Sequence, residues 1–86
     1  MAKEKKRALE VIRWLDHCGF SDATWRPLEE FEELEPSHMV SVGYIVKDAP
    51  DHIVLVSTVS ENYSGRNDIC IMKSAIIKRW KIKDPS

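Results

Sequence analysis

The chain is predicted to be mainly β, and three observations lead there. Short apolar segments of β-branched character recur along its second half: "HMVSVGYIVK", "HIVLVSTV", "DICIM" and "IIKRWKI". Gly43 stands in the middle of the first of these, where a missing side chain lets a strand bend or bulge. Only Lys73, Ser74 and Ala75 part the last two segments, which is too few for a helix and enough for one tight turn. With a further strand ahead of them, these features describe a small five-stranded SH3/Sm-like barrel with one short α-helix between strands 1 and 2. A barrel removes most sheet edges, which suits so small a sheet.

The first element is the ambiguous one. In "ALEVIRWLDHCGF", Ala8, Val11, Ile12 and Leu15 fit a helical spacing, with Gly19 as a following cap. Read with period two, Leu9, Val11, Arg13 and Leu15 face one way and Ile12 and Trp14 the other, and Val, Ile and Trp together favour a strand. The strand is the reading adopted, on a ground given below. "RPLEEFEELEP" predicts a short amphipathic helix. Pro27 suits its first position, Glu29 and Glu30 meet the positive end of its dipole, Leu28, Phe31 and Leu34 make a stripe, and Pro36 stops it. Strand 2 follows, with Val40, Val42, Tyr44 and Val46 on one face. "DAPD" turns the chain into strand 3. Ser60 to Asn67 is a polar loop before strand 4, and Ile76 to Ile82 is strand 5.

Eighty-six residues make one domain, 1–86, with a basic arm at 1–7, the barrel at 8–83 and a tail at 84–86. A chain of this length buries only about 60–65% of its unfolded surface, so association with copies of itself would add to a small core. Hydrophobic residues at 43% and charged residues at 31% argue against disorder. The net charge of −1 is not that of a dedicated nucleic-acid binder, yet the charges are segregated. Lys3, Lys5, Lys6 and Arg7 open the chain and Lys73, Lys78, Arg79, Lys81 and Lys83 close it, while most of the acids lie between. No apolar run is long enough for a transmembrane helix, no signal-type apolar region follows the basic start, and two cysteines are few for a secreted domain, so a cytoplasmic location is expected.

"WLD…DATWRPLEEFEELEP" and "VSVGYIVKDAPDHIVLVSTVSE…IMKSAIIKRWKI" together resemble a group of small proteins of tailed bacteriophages. The likeness covers residues 10 to 82, with Met72 standing where the pattern has proline. It implies a first strand around Trp14, which decides the ambiguous segment, and an Sm/SH3-type barrel in the cytoplasm of an infected bacterial host. Its motifs are structural and carry little about chemistry.

Catalytic and metal chemistry find little footing. His17, Cys18, His38, His52 and Cys70 lack metal-ligand spacing, no phosphate-binding glycine loop is present, and no acid–base or nucleophile constellation meets the usual requirements, so neither an enzyme, a cofactor nor a metal is expected. Two polar features remain. Ser60, Asn62, Tyr63 and Arg66 crowd the loop after strand 3, where hydroxyl and amide groups, a stacking ring and a phosphate clamp could serve a small anionic nucleotide, with Lys73 as a second cation. In strand 5, period two sets Trp80 inward with Ile76 and Ile82 and leaves Arg79, Lys81 and Lys83 as an outward basic face for RNA or DNA. Taken with the phage likeness, which implies a counter-defence role, the first feature suggests an oligomeric binding module that sequesters a nucleotide signal of host immunity. The second suggests an Sm-like single-strand binder. A third expectation is a protein-binding inhibitor of a host enzyme, with the acidic helix Pro27 to Glu35 as its contact.

Overall fold

A computed structural model describes residues 7–84. The expected basic arm therefore lies, but for Arg7, outside the described residues, as do the last two residues of the tail. Five antiparallel strands form one open sheet in the order β4-β3-β2-β1-β5. They are β1 (Leu9–Asp16), β2 (Ser37–Asp48), β3 (His52–Val59), β4 (Gly65–Met72) and β5 (Ile76–Ile82). A single-turn helix, α1 (Leu28–Phe31), lies between β1 and β2, and one 3₁₀ turn, Lys73–Ala75, links β4 to β5. The mainly β expectation and its one short helix hold.

β1 is a strand because its period-two pattern has two uses. It is central, paired with β2 on one side and β5 on the other. Partners directly opposite one another share a face, so Glu10, Ile12 and Trp14 form an inner face with Gly43, Ser41 and Met39 of β2. Ile12 is fully buried there among Trp14, Ile53, Leu55 and Ile71, with Ile45, Ile69 and Ile76 packed against them. The Trp14 indole N–H donates to Ser41 Oγ at 3.0 Å, which satisfies its one polar atom within the core. Gly43 is where β2 passes closest to β3. A Cβ there would lie 2.6 Å from the Val56 carbonyl oxygen and 2.9 Å from Leu55 Cδ1, so no side chain fits without moving backbone.

Two irregularities set the facing of everything downstream. Between Ile45 and Lys47 the β2–β3 register slips, leaving Val46 as an extra residue. Between Arg13 and Trp14 the β1–β5 register slips as well: Lys78 opposes Arg13 but Ile76 opposes Trp14. Ile77 is the extra residue there. It inverts the alternation of β5, so that Arg79 lies opposite Ile12 on the inner face and Trp80 lies opposite Val11 on the outer one. The sequence expectation had Trp80 packed inward with Ile76. Counted straight through, period two misses the bulge, and Trp80 is in fact 38% exposed.

The acidic helix also differs from expectation. Its stripe was expected to run to Pro36, but regular helix ends at Phe31 and the chain continues through a looser turn in which Leu34 N–H reaches the Phe31 carbonyl at 3.1 Å. A helix this short is not self-sustaining, and no residue of α1 is buried against the sheet. Strand 4 begins earlier than expected, at Gly65, with Asn67 in the left-handed region at φ 61°.

Candidate functional site

Residues 60–64 close on themselves. Ser60 N–H donates to the Ser64 carbonyl at 2.7 Å, Tyr63 N–H to the Ser60 carbonyl at 2.9 Å, and Ser64 N–H to Ser60 Oγ at 3.0 Å. The Ser60 hydroxyl in turn donates to the Asn62 side-chain carbonyl. Ser60 and Asn62, read from sequence as ligand groups, thus brace the loop. Their work leaves Tyr63 at φ 65° with its ring largely in solvent. A non-glycine residue in that conformation costs roughly 1 kcal/mol and is held only where its surroundings insist on it.

Tyr63 borders an open cavity of about 280 Å³ whose other walls are Arg7, Val46, Val56, Val59 and Gly65. Arg7 reaches it through the β2 irregularity. Val46 has no partner on β3, and its carbonyl accepts from Arg7 Nη1 at 3.2 Å. Among the described residues one guanidinium N–H is used in that bond, of the five donors the group carries. Gly65 keeps the hairpin close to Val56, since a Cβ there would come within 3.3 Å of Val56 Cγ2. On the other side of Gly65 a second open groove is lined by Thr58, Ser60, Ser64 and Arg66. The hairpin end therefore joins an apolar floor, a stackable ring and two arginines.

Lys73 is not part of this group within one chain. His52 pairs with Met72 and Val59 with Gly65, so Lys73 sits about seven residue steps, or about 23 Å, along the strands from the loop. Its Nζ lies 2.6 Å from Asp48 Oδ1, and that contact holds the Asp48 carboxyl below its ordinary pKa. The neighbouring Asp51 carboxyl is likewise held down, chiefly by His52 Nδ1 at 2.6 Å.

The basic face expected on β5 is broken up. Arg79 turns in to Glu10, with Nε at 2.8 Å from Oε1 and Nη2 at 3.0 Å from Oε2, and also reaches Asp48 at 3.2 Å. Glu10 is only 5% exposed, and its two-point grip raises the Arg79 pKa above its already high ordinary value. Lys81 and Lys83 stay exposed, and Lys81 shares the face of Arg79, but the Arg79 charge beside it is spent on Glu10 and Asp48. Lys78 instead stands over the Trp80 ring at 5.3 Å.

The excursion between β1 and β2 is braced internally. Phe20 and Phe31 meet edge to face at 5.5 Å, and the Arg26 guanidinium lies 3.8 Å above the Phe20 ring while pairing with Asp22 at 3.3 Å and Glu30 at 3.2 Å. Cys18 donates its thiol hydrogen to the Glu35 carbonyl across the base. This scaffold presents Trp25, 98% exposed, and Leu28, 75% exposed, beside a cavity of about 290 Å³.

Cys18 and Cys70 are free and exposed, and among the described residues no three His, Cys, Asp or Glu side chains converge as a metal site would require. Among the same residues no helix is long and apolar enough to cross a membrane. No family model, curated protein or solved structure matches the chain.

Arg7 and the three valines escaped the sequence reading. Arg7 was counted with the basic arm. Its approach to Val46, thirty-nine positions away, depends on a bulge whose only trace in sequence is the neighbouring Gly43.

Proposed function

We propose that this chain is a non-enzymatic binding module that captures a small anionic nucleotide at the β3–β4 hairpin end. The observation that carries the reading is the convergence of the Arg7 guanidinium and the Tyr63 ring on one apolar cavity. A planar base has a ring to stack on and valines beneath it, and a phosphate has a fork of N–H donors. Arg66, across Gly65, supplies a second anion contact. The cavity lies near the lower end of small-molecule sites, about 300 Å³, which suits a single nucleotide unit.

In the same reading the open sheet is an SH3/Sm-type small barrel. Its strand order, the irregularity of β2 between Ile45 and Lys47 and the one-turn link from β4 to β5 support that type. The resemblance to phage proteins supplies the setting: an oligomer that withdraws a nucleotide signal of host immunity from its receptor. Single-strand RNA or DNA binding on β5 is the weaker alternative, because its first cation, Arg79, is committed to Glu10.

Isothermal titration against a panel of cyclic and linear nucleotides tests this. At least one member should bind the wild-type protein, and Tyr63→Ala should weaken it by about tenfold, the scale of a lost base–aromatic stack. Arg7→Ala should cost a similar factor. A folded wild-type protein that gives no heat with any member overturns the proposal.

A further inference from the structure

We propose that the Trp25 excursion docks on the outer face of the sheet of a second copy of this chain. That face, formed by β5, β1 and β2, is apolar without being covered. Trp80 opposes Val11, which opposes Val42, and Ile82, Leu9 and Tyr44 form the next row. Val40, Val42, Trp80 and Ile82 are all exposed. The charged side chains among the strand residues of this face are Arg13 and Lys78, side by side across the β1–β5 pair, and Lys47, which lies opposite Val54 past the β2 irregularity; no carboxylate belongs to it. It is an apolar surface with a cationic edge.

The excursion is its complement. Trp25 and Leu28 project as bare apolar groups, and around them stand Glu29, Glu30, Glu32, Glu33 and Glu35. A nearly fully exposed tryptophan on an internally braced excursion has the form of an interface anchor, since its large side chain carries few rotatable bonds to be fixed on docking. Arg26, the cation of the excursion, is already taken by Asp22 and Glu30, so the module meets a partner as an acidic one.

Charge decides the occupant. Two copies packing outer face to outer face would bring like charges, Arg13 and Lys78, to one interface. The chain's own residues 1–6, with Lys3, Lys5 and Lys6 against Glu4, carry the wrong sign for this face. The acidic excursion of a second copy carries the right one, and because each copy gives one module and receives one, a reciprocal pair or a ring would satisfy every module. The inference uses neither Arg7 nor Tyr63, so its failure would remove the oligomer from the nucleotide reading but leave the site at the hairpin end to be tested by titration.

Sedimentation velocity decides it. The wild-type protein should sediment as a closed assembly of two or more copies, more weakly associated at high salt. Trp25→Ala should loosen association by about thirtyfold, the loss of a hot-spot tryptophan, and Lys78→Glu should loosen it as well. Both positions are exposed, and circular dichroism checks that the sheet is kept. Mixing the two variants should partly restore association, because one retains an intact face and the other an intact excursion. A wild-type monomer at every concentration overturns the proposal, whether or not another protein binds Trp25. So does an assembly that neither variant weakens, or a mixture that recovers nothing.

Discussion

The inner face of the sheet and the excursion between β1 and β2 contain the same kinds of residue put to opposite use. Ile12 is enclosed by Trp14, Ile53, Leu55 and Ile71, and the one charge among them, Glu10, is gripped at two points by Arg79. In the excursion Phe20 touches Phe31, Arg26 covers Phe20, and Trp25 touches almost nothing. Both regions are ordered. In the first, order comes from removing apolar surface from water. In the second it comes from a few ring and ion-pair contacts that leave apolar surface in water. Apolar groups therefore hold the fold together on the sheet, whereas on the excursion they are displayed.

The largest test of this contrast is Ile12→Ala. Ile12 has no exposed surface and is packed among Trp14, Ile53, Leu55 and Ile71. The substitution should lower stability by about 4 kcal/mol, the upper part of the range for a closed apolar site. That is a large share of the ~5–15 kcal/mol available to a small domain. Urea unfolding would read it directly, and a loss below about 1.5 kcal/mol would mean that the inner face collapses onto the gap and is looser than its burial indicates.

Next in size is the ion pair within that face. Arg79→Ala leaves a buried carboxylate without its cation and should cost about 3 kcal/mol. Glu10→Ala should cost less, because Arg79 is partly exposed and keeps Asp48 at 3.2 Å. The asymmetry is the point of the experiment: equal losses in the two denaturant curves would mean that Glu10 is better hydrated than its 5% exposure implies.

These positions also show what can be read without coordinates. The ends of β3 and β5 are legible because apolar β-branched runs begin and stop there, and a special role for Gly43 is legible from a glycine in mid-strand, although the structure shows a close approach to β3 there and puts the irregularity of β2 between Ile45 and Lys47. Glu10 was not singled out: it shares its period with Ile12 and Trp14, but only the structure shows that this is the buried face and that Arg79 meets its carboxylate there. The facing of β5 was not readable, since one extra residue, Ile77, inverts it, and no glycine or other compositional mark accompanies that bulge. The length of α1 was hidden for another reason. Its stripe is regular, but a stripe says only that a face could be buried, and here the sheet offers nothing to bury it against. In the candidate site, Tyr63 and Arg66 announced themselves by type, whereas Arg7 depends on a contact between distant parts of the chain.

The smallest expected effect is at Phe31, and it separates the two regions most cleanly. Phe31 is exposed by about two-fifths and its ring contact is with Phe20, not with the core. If the excursion is braced only by itself, Phe31→Ala should change global stability by less than about 0.5 kcal/mol, as for a surface substitution. The same change should release the hydrogen bonds that depend on the module, Glu30 N–H to the Pro27 carbonyl and Leu34 N–H to the Phe31 carbonyl, and speed their hydrogen exchange. The measurement belongs in a Trp25→Ala background at low concentration, because association through Trp25 would itself stabilise the fold by mass action. A global loss of 2 kcal/mol or more, on the scale of core truncation, would place Phe31 in the structural core. Trp25 would then stand on a part of the fold that the sheet cannot do without.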